Sequence, residues 1–306
     1  EMEIKSSSKK IIISIDFEMR WGVHDLYGLN IEGYKKNLIN SRQAVTSTLN
    51  MFKERNIRAT WATVGALALN DWNEYFSYNS PIPNYSNKKL KILDSYSKID
   101  PEGLFHFAPD LVKSIVETEG QELGSHSFSH LYFLEEGITA KDFVDDALLV
   151  KKIFEEKFKS SPVSIVFPRN QINFKENFYE PNLMIYRSIP DLYSYNSNLR
   201  KIINLYEILS PIISGPFNQN TMYSTGNFFI RFNLPNVLWK LQLKKIKNKL
   251  MNLRNGENLH IWWHPHNVGV NLEKGLDRFE QLFDLIANEI NINDLTSCNM
   301  KDLLNK

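Results

Sequence analysis

Two histidines stand four positions apart in the segment GSHSFSH at residues 124–130. If this segment is helical, the rings of His126 and His130 lie on one face of it. Both rings could then reach one metal ion, because histidine nitrogens ligate zinc at about 2.0–2.1 Å. A pair of surface histidines flanking a turn is the alternative interpretation. The chain has only 7 histidines, so this arrangement of two of them favours metal binding.

Two acidic residues end the apolar run at residues 10–18, which reads KIIISIDFE. Asp16 and Glu18 are two positions apart, so on a strand their side chains point to the same side. Parallel α/β folds place active sites at the carboxyl ends of buried strands. The pair is therefore a candidate for acid–base or metal chemistry, and two solvated loop acids are the alternative.

Two later strand-like runs also end in polar residues. Arg169 follows the run at 163–167, where a fixed cation could orient a carboxylate or stabilise developing negative charge. His264 and His266 follow the run LHIWW, and either could act as a general acid. A surface arginine is the alternative for Arg169. Four strand ends that present titratable groups on one rim are hard to explain as chance.

These residues need a sheet to bring them together, and the hydrophobic pattern supplies one. Apolar β-branched runs predict strands, and apolar residues at helical spacing predict helices. The predicted strands are 10–17, 57–64, 122–125, 163–167, 183–186 and 259–263, and the predicted helices are 34–55, 109–119, 139–158, 235–253 and 272–290. This alternation implies parallel βαβ units spread over one α/β domain.

Two long stretches, at about 70–108 and 188–235, interrupt the alternation. Loops of this length in a compact domain are usually functional or hide a missed element. Both stretches are rich in aromatic residues, which could pack on the faces of sugar rings and shape a cleft. The aromatic candidates, most of which we expect to pack in loops, are Trp72, Tyr75, Phe76, Tyr78, Tyr85, Phe105, Tyr193, Tyr195, Tyr223, Phe228 and Phe229.

Composition excludes several classes of protein. The chain has 36 Lys and Arg against 35 Asp and Glu, a balance that argues against a nucleic-acid binder and gives no polybasic anchor for an anionic membrane. The single cysteine, Cys298, gives no support for secretion into an oxidising compartment. We find no apolar stretch of signal-peptide or transmembrane length and expect a cytoplasmic protein. The sequence gives no sign of the oligomeric state.

Taken in chain order, these residues resemble the polysaccharide deacetylase family, also called the NodB-homology domain, from Ile11 to about Asn267. The segment EGQELGSHSFSH at 119–130 resembles the family's metal-binding motif, and SIDFE at 14–18 resembles its acidic motif. Three further segments resemble its second strand, its arginine motif and its late histidine motif: RATWATVG at 58–65, FPR at 167–169 and WHPH at 263–266.

The resemblance implies a distorted, incomplete (β/α) barrel of about seven parallel strands over residues 10–306, with the two insertions shaping the cleft. It implies that Glu18, His126 and His130 hold a divalent metal, most simply Zn²⁺, although Co²⁺, Mn²⁺, Ni²⁺ or Fe²⁺ suit the same donors. Asp16 would then be the catalytic base, oriented by Arg169, and His264 the general acid, with His266 ranked second. The family commonly has aspartate where Glu18 stands, so the reverse assignment, with Asp16 on the metal, stays open.

The implied function is metal-dependent removal of an acetyl group from an amino sugar. The substrate would belong to a bacterial surface polysaccharide or to its lipid- or nucleotide-linked precursor. Residues expected to line the substrate cleft are Trp21, Phe167, Pro168, Trp263 and His266. The alternatives are a metal-dependent hydrolase of small cyclic amides or ureides and a catalytically inactive glycan-binding relative.

Overall fold

Strands and helices alternate along the chain, as the sequence predicts. The computed structural model describes residues 9–27, 30–90, 93–188, 215–216, 223–226 and 228–304. The strands are β1 (Lys9–Phe17), β2 (Ala59–Thr63), β3 (Gln121–Ser125), β4 (Ser164–Ile165), β5 (Ile185–Ser188), β6 (Gly215–Pro216), β7 (Tyr223–Thr225), β8 (Phe228–Phe229), β9 (Glu257–Trp263) and β10 (Leu295–Cys298). The helices are α1 (His24–Tyr27), α2 (Lys35–Arg55), α3 (Trp72–Ser77), α4 (Leu93–Ile99), α5 (Pro109–Glu117), α6 (Ala140–Phe158), α7 (Asn236–Met251) and α8 (Leu272–Asn293).

The sheet is almost entirely parallel and curves into a distorted, incomplete barrel. Its strands are ordered β9-β1-β2-β3-β4-β5-β7, and β8, which follows β7 closely along the chain, pairs with β9 at the other end of that path. Of the strands in the described ranges, only β6 is antiparallel to its neighbour. The fold prediction is therefore confirmed. Strands β6 and β8 have two residues each, too short to give a sequence pattern, whereas the apolar run at 163–167 predicts β4.

Strand β1 shows how the sheet separates packing from chemistry. Ile11, Ile13 and Ile15 join the main hydrophobic core together with residues of α2 and α8. Because successive side chains point to opposite faces, Ser14 and Asp16 face the other way. Strand β9 pairs with β1 in parallel, so its alternate residues follow the same division between the two faces.

Helix boundaries agree with the sequence signals that predict them. Thr139 caps α6 with a reciprocal capping box, in which Thr139 and Asp142 each accept a hydrogen bond from the other residue's backbone. Pro109 is the first residue of α5, where its missing N–H costs no hydrogen bond. These local signals needed no tertiary information.

The first insertion, at 70–108, is an ordered layer that contains α3 and α4. Trp72, Tyr75, Tyr96 and Phe107 are buried there as part of the main core. The aromatic richness of this stretch therefore serves packing to a large extent. The second insertion, at 188–235, lies mostly outside the described residues, and so do Tyr193 and Tyr195. Among the helices that the structure describes, none combines the length and apolar character needed to cross a bilayer.

Candidate active site

The two acids leave the carboxyl end of β1 at the mouth of the barrel. Asp16 is the second-last residue of β1, and Glu18 caps the short turn at Met19–Gly22. The Glu18 carboxyl group packs directly over Gly22. A Cβ atom on residue 22 would lie 1.9 Å from the Glu18 carboxyl carbon, so only glycine allows this position of the acid.

The two histidines follow β3, and the segment that carries them is not helical. Their rings converge instead because the backbone reverses through left-handed conformations at Ser127 (φ 66°) and His130 (φ 60°). Asp146 of α6 holds this reversal, since its carboxylate accepts hydrogen bonds from the Phe128 N–H and the Ser127 hydroxyl. The predicted convergence is present, but it depends on a buried carboxylate of a distant helix.

Glu18, His126 and His130 form a compact buried cluster. The Nε2 atoms of both histidines lie 3.1 Å from the same Glu18 oxygen, Oε2. One potential ligand atom from each residue falls within 4.8 Å of the others. A carboxylate and two imidazoles are a donor set that zinc and related divalent ions take.

The hydrogen bonding of His126 tests whether a metal fits this cluster. Its Nδ1 donates to the carbonyl of Val166 at 2.7 Å, so in the neutral ring Nε2 carries a lone pair. That lone pair faces a Glu18 carboxylate oxygen at 3.1 Å. Two lone pairs at this distance repel unless a cation lies between them. A hydrogen bond from the other ring nitrogen to a backbone carbonyl, as Nδ1 makes here, also commonly orients a metal-bound histidine.

Burial and charge keep the ligands in the forms that bind metal. Burial raises the pKa of Glu18, but His264, His126 and His130 together hold that pKa well below its ordinary value. Burial lowers the pKa of His130, against the opposing pull of Glu18. An ionised carboxylate and a neutral imidazole are the species that metal ions require.

Asp16 is held by an arginine that the sequence reasoning missed. Both guanidinium Nη atoms of Arg187, in β5, donate to the Asp16 carboxylate, at 2.7 and 2.8 Å. Arg187 also donates to Ser14 and to Asn170, and its guanidinium lies 4.1 Å from the Trp262 ring centroid. Burial raises the pKa of Asp16, but Arg187, aided by His264 and His126, brings it below its ordinary value.

The prediction that Arg169 orients Asp16 is therefore wrong, because Arg187 makes that contact. Arg169 instead pairs with Asp25 of α1 and lies 4.4 Å from the ring centroid of Tyr132. Its side chain is 37% exposed, which places it on the rim of the site. A lone arginine in the apolar strand IYRS was the available signal for Arg187, since a buried cation needs a buried partner.

The late histidines face the acids from β9. Nε2 of His264 lies 3.5 Å from Asp16 Oδ2 and 3.6 Å from Glu18 Oε1. Its Nδ1 lies 3.2 Å from the Asn267 side-chain oxygen, so Nε2 is the nitrogen available to pass on a proton. His266 lies behind it, with Nε2 3.8 Å from Glu18 Oε1, and burial lowers its pKa to about 3. His264 is the more exposed of the two.

Most residues expected to line the substrate cleft are buried in the core. Trp21, Phe167 and Trp263 are completely buried, and Pro168, which follows Phe167 in the sequence, is also buried. Trp21 stacks on Tyr75 and donates its indole N–H to the His106 carbonyl. The structure therefore gives these side chains a packing role in place of the predicted substrate contact.

Trp263 illustrates the reason for this error. It packs against Phe52 of α2 and Phe283 of α8, on the helix-facing side of the sheet. Its neighbour Trp262 points to the opposite side and covers Arg187. The half-buried ring of Phe229 lies 4.6 Å from Trp262 and 5.7 Å from His264, measured between ring centroids. Within the described residues, the rings of Trp262 and Phe229 therefore both lie next to His264.

Comparison with known proteins agrees with this fold. The model of the polysaccharide deacetylase family matches residues 32–177, a stretch that includes His126 and His130 but neither Asp16, Glu18 nor His264. No curated protein matches the sequence significantly.

Solved structures share the fold at low sequence identity. A polysaccharide deacetylase candidate from Mycobacterium smegmatis is 12% identical with a TM-score of 0.58, covering 99% of this chain and 91% of its own. An allantoinase is also 12% identical, with a TM-score of 0.57 and coverage of 98% and 90%. A mutant of a CE4 family pseudoenzyme with restored activity is 12% identical, with a TM-score of 0.51 and coverage of 98% and 69%. The resemblance of this chain to the polysaccharide deacetylase family is thus confirmed by the family's own model, over residues 32–177.

Proposed function

We propose that this chain is a metal-dependent hydrolase that removes an acetyl group from an amino sugar. The substrate would be a bacterial surface polysaccharide or its lipid- or nucleotide-linked precursor. One observation carries the proposal: the buried Glu18, His126 and His130 cluster lies beside an arginine-held Asp16 and a partly exposed His264. These are the parts that metal-assisted acyl hydrolysis needs, assembled at one rim.

Glu18, His126 and His130 would hold the metal, with zinc the simplest choice for one carboxylate and two imidazoles. When bound, a divalent ion polarises the acyl carbonyl and lowers the pKa of a bound water. The geometry supports Glu18 over Asp16 as the ligand. Glu18 Oε2 faces both imidazoles, whereas both Asp16 oxygens accept hydrogen bonds from Arg187.

Asp16 would act as the base that removes a proton from the attacking water. Arg187 keeps this carboxylate ionised and fixes its orientation through two parallel hydrogen bonds. His264 would then protonate the leaving amine through Nε2, the nitrogen that faces the acids. Hydrolysis of an amide is assisted by a general base that activates the water and a general acid that protonates the leaving amine.

A sugar substrate is supported by the aromatic surface next to His264. Phe229 is half-buried beside Trp262 and His264, so its ring offers a platform for the apolar face of a pyranose. Arg169 lies on the rim as well, where its guanidinium could donate hydrogen bonds to a hydroxyl or phosphate oxygen of a longer substrate.

A second candidate, hydrolysis of a small cyclic amide or ureide, is favoured by the similarity in fold to an allantoinase. The same metal, base and acid would serve this reaction, because a ring-opening hydrolysis also attacks an amide carbonyl. A third alternative is an inactive relative that binds glycans, because a pseudoenzyme is among the similar structures.

One experiment separates the three functions. Elemental analysis measures the metal in the purified chain, and mass spectrometry follows loss of acetyl groups from N-acetylated amino sugars and their nucleotide-linked forms, with allantoin in parallel. We expect a divalent ion near one per chain and deacetylation that chelation abolishes and the ion restores. Asp16→Asn is the matched control, because it should bind metal without turnover.

Hydrolysis of allantoin alone would replace the proposal by the second candidate. Metal-loaded protein that hydrolyses nothing in the panel, yet binds a glycan, would establish the inactive relative.

A further inference from the structure

The balanced net charge of the chain conceals a strong local imbalance. From Ile208 to Gly256 the sequence contains no aspartate or glutamate. The same stretch contains seven basic residues: Arg231, Lys240, Lys244, Lys245, Lys247, Lys249 and Arg254. Five of them belong to α7, whose own sequence contains no acidic residue.

The outward face of α7 combines these lysines with exposed apolar side chains. The helix turns its other face inward and buries Trp239, Gln242, Ile246 and Leu250. At about 100° per residue, the outward stripe consists of Val237, Lys240, Leu241, Lys244, Lys247, Asn248 and Met251, all exposed. Val237, Leu241 and Met251 are 72%, 43% and 50% exposed, so the stripe presents apolar as well as basic side chains to solvent.

We propose that this outward stripe of α7 docks on an anionic lipid surface. Lysines attract acidic headgroups, while apolar side chains between them enter the boundary between headgroups and acyl chains. The contact would run along the helix, with α7 lying in the plane of the membrane surface. A duplex nucleic acid would use the lysines but would leave Val237 and Leu241 without a partner.

The neighbours of α7 restrict the contact to this stripe. Helix α8 packs against α7 and carries the exposed acids Asp277, Glu280 and Asp284. Asp284 pairs with Arg55, and Asp277 accepts a hydrogen bond from Gln281. Because the buried face of α7 includes Trp239, which bonds to Gln281 of α8, the lysine stripe points away from these acids.

The position of α7 relates the stripe to the mouth of the barrel. Asn233, just before the helix, donates to the carbonyl of Asn267, three residues after His264. Arg278 of α8 donates to Leu234 and Asn236 at the same end. A lipid surface bound along α7 would therefore lie beside the rim that carries His264. The docking itself is independent of which reaction the site performs.

Vesicle sedimentation of the full chain tests the proposal. We expect binding to phosphatidylglycerol vesicles at low salt and weak binding to phosphatidylcholine vesicles. High salt should weaken the former, since screening shortens the range of the attraction. Each lysine near an anionic surface contributes up to about fivefold in affinity. The triple variant K240Q/K244Q/K247Q should therefore bind anionic vesicles about 100-fold more weakly, and V237S/L241S should lower the binding that persists at higher salt.

A matched variant, K36Q/K53Q/K113Q, removes the same charge from exposed lysines of α2 and α5 and should bind like the natural chain. Unfolding midpoints close to that of the natural chain show that the variants are folded. The proposal is overturned if the natural chain does not sediment with phosphatidylglycerol vesicles, or if the matched variant loses as much binding. Tighter, lysine-dependent binding to a DNA duplex than to vesicles would identify a nucleic-acid surface instead.

Discussion

Replacing Arg187 by methionine tests the buried pair that holds Asp16. The pair is almost fully buried, with side-chain exposures of 0% and 3%. Methionine keeps much of the volume but leaves Asp16 as an uncompensated buried carboxylate. Breaking a buried ion pair in this way costs about 3–5 kcal/mol of the free energy of unfolding. We expect R187M to lose that amount at pH 7, measured by denaturant unfolding.

The effect of R187M on the free energy of unfolding should depend on pH, and the pKa of Asp16 determines the direction of this dependence. In the natural chain the Asp16 pKa lies below its ordinary value, so the pair stabilises the fold above the unfolded pKa of about 3.9 and loses this effect as pH falls through the lower, folded value. In R187M, burial still raises the pKa of Asp16, while the attraction of Arg187, which is the largest contribution that lowers this pKa, is absent. Protonation then relieves the buried charge as pH falls, so the destabilisation should be smaller at pH 5 than at pH 7.

Two further variants complete this test. D16N/R187M removes both charges and should recover much of the lost stability, giving a coupling energy of several kcal/mol in a double-mutant cycle. R169M breaks a pair in which the arginine side chain is 37% exposed, so water already screens the interaction and the loss of stability should be smaller than in R187M. Equal losses for R187M and R169M, or no recovery in the double variant, would refute the reasoning. Turnover should fall more in R187M than in R169M, and D16N/R187M, which lacks the proposed base, should be inactive although it is more stable than R187M.

The remaining predictions concern the cluster and the proton donor. Asp16→Asn should abolish turnover with near-normal metal content, whereas His126→Ala should lose the metal as well; metal loss in Asp16→Asn would reverse the two roles. Gly22→Ala should displace the Glu18 carboxyl group and weaken metal binding at least tenfold in a competition titration with a chelator, and unchanged affinity would show that Glu18 is not a ligand. His264→Ala should lower kcat by a factor of about 10² or more with metal retained, and a kcat that does not change would assign the proton to another group.

Much of the fold was predictable because its signals are local. The buried run of β1, the cap at Thr139 and the proline that opens α5 each act within a few residues. Glu18, His126 and His130 were likewise recognisable as candidates, because they follow strands and all strands of a parallel sheet end at one rim, whereas their grouping as metal ligands came from the family resemblance. The helical face assumed for the two histidines was wrong, since the reversal depends on Asp146, a contact across the sequence.

Contacts between distant strands explain what the sequence could not show. Arg187 and Asp16 are separated by 171 positions, and nothing in the residues around either one identifies the other. Alternate residues of β9 point to opposite faces of the sheet, and this decides which of Trp262 and Trp263 points toward the helices. Because β9 is apolar on both faces, its sequence does not reveal which face is which. The overall charge balance hid the basic stripe of α7, because acids elsewhere in the chain compensate it.

The contact between Glu18 and Gly22 has a consequence for tracing this site through other sequences. Glutamate at position 18 needs the space that a side chain at position 22 would fill. A shorter aspartate would not reach as far, so it would free position 22 from this restriction. Homologues with glutamate at the ligand position should therefore keep glycine four residues later, while those with aspartate should vary there. This pairing of two residue types is a sequence signature by which proteins with the same variant of the site can be recognised.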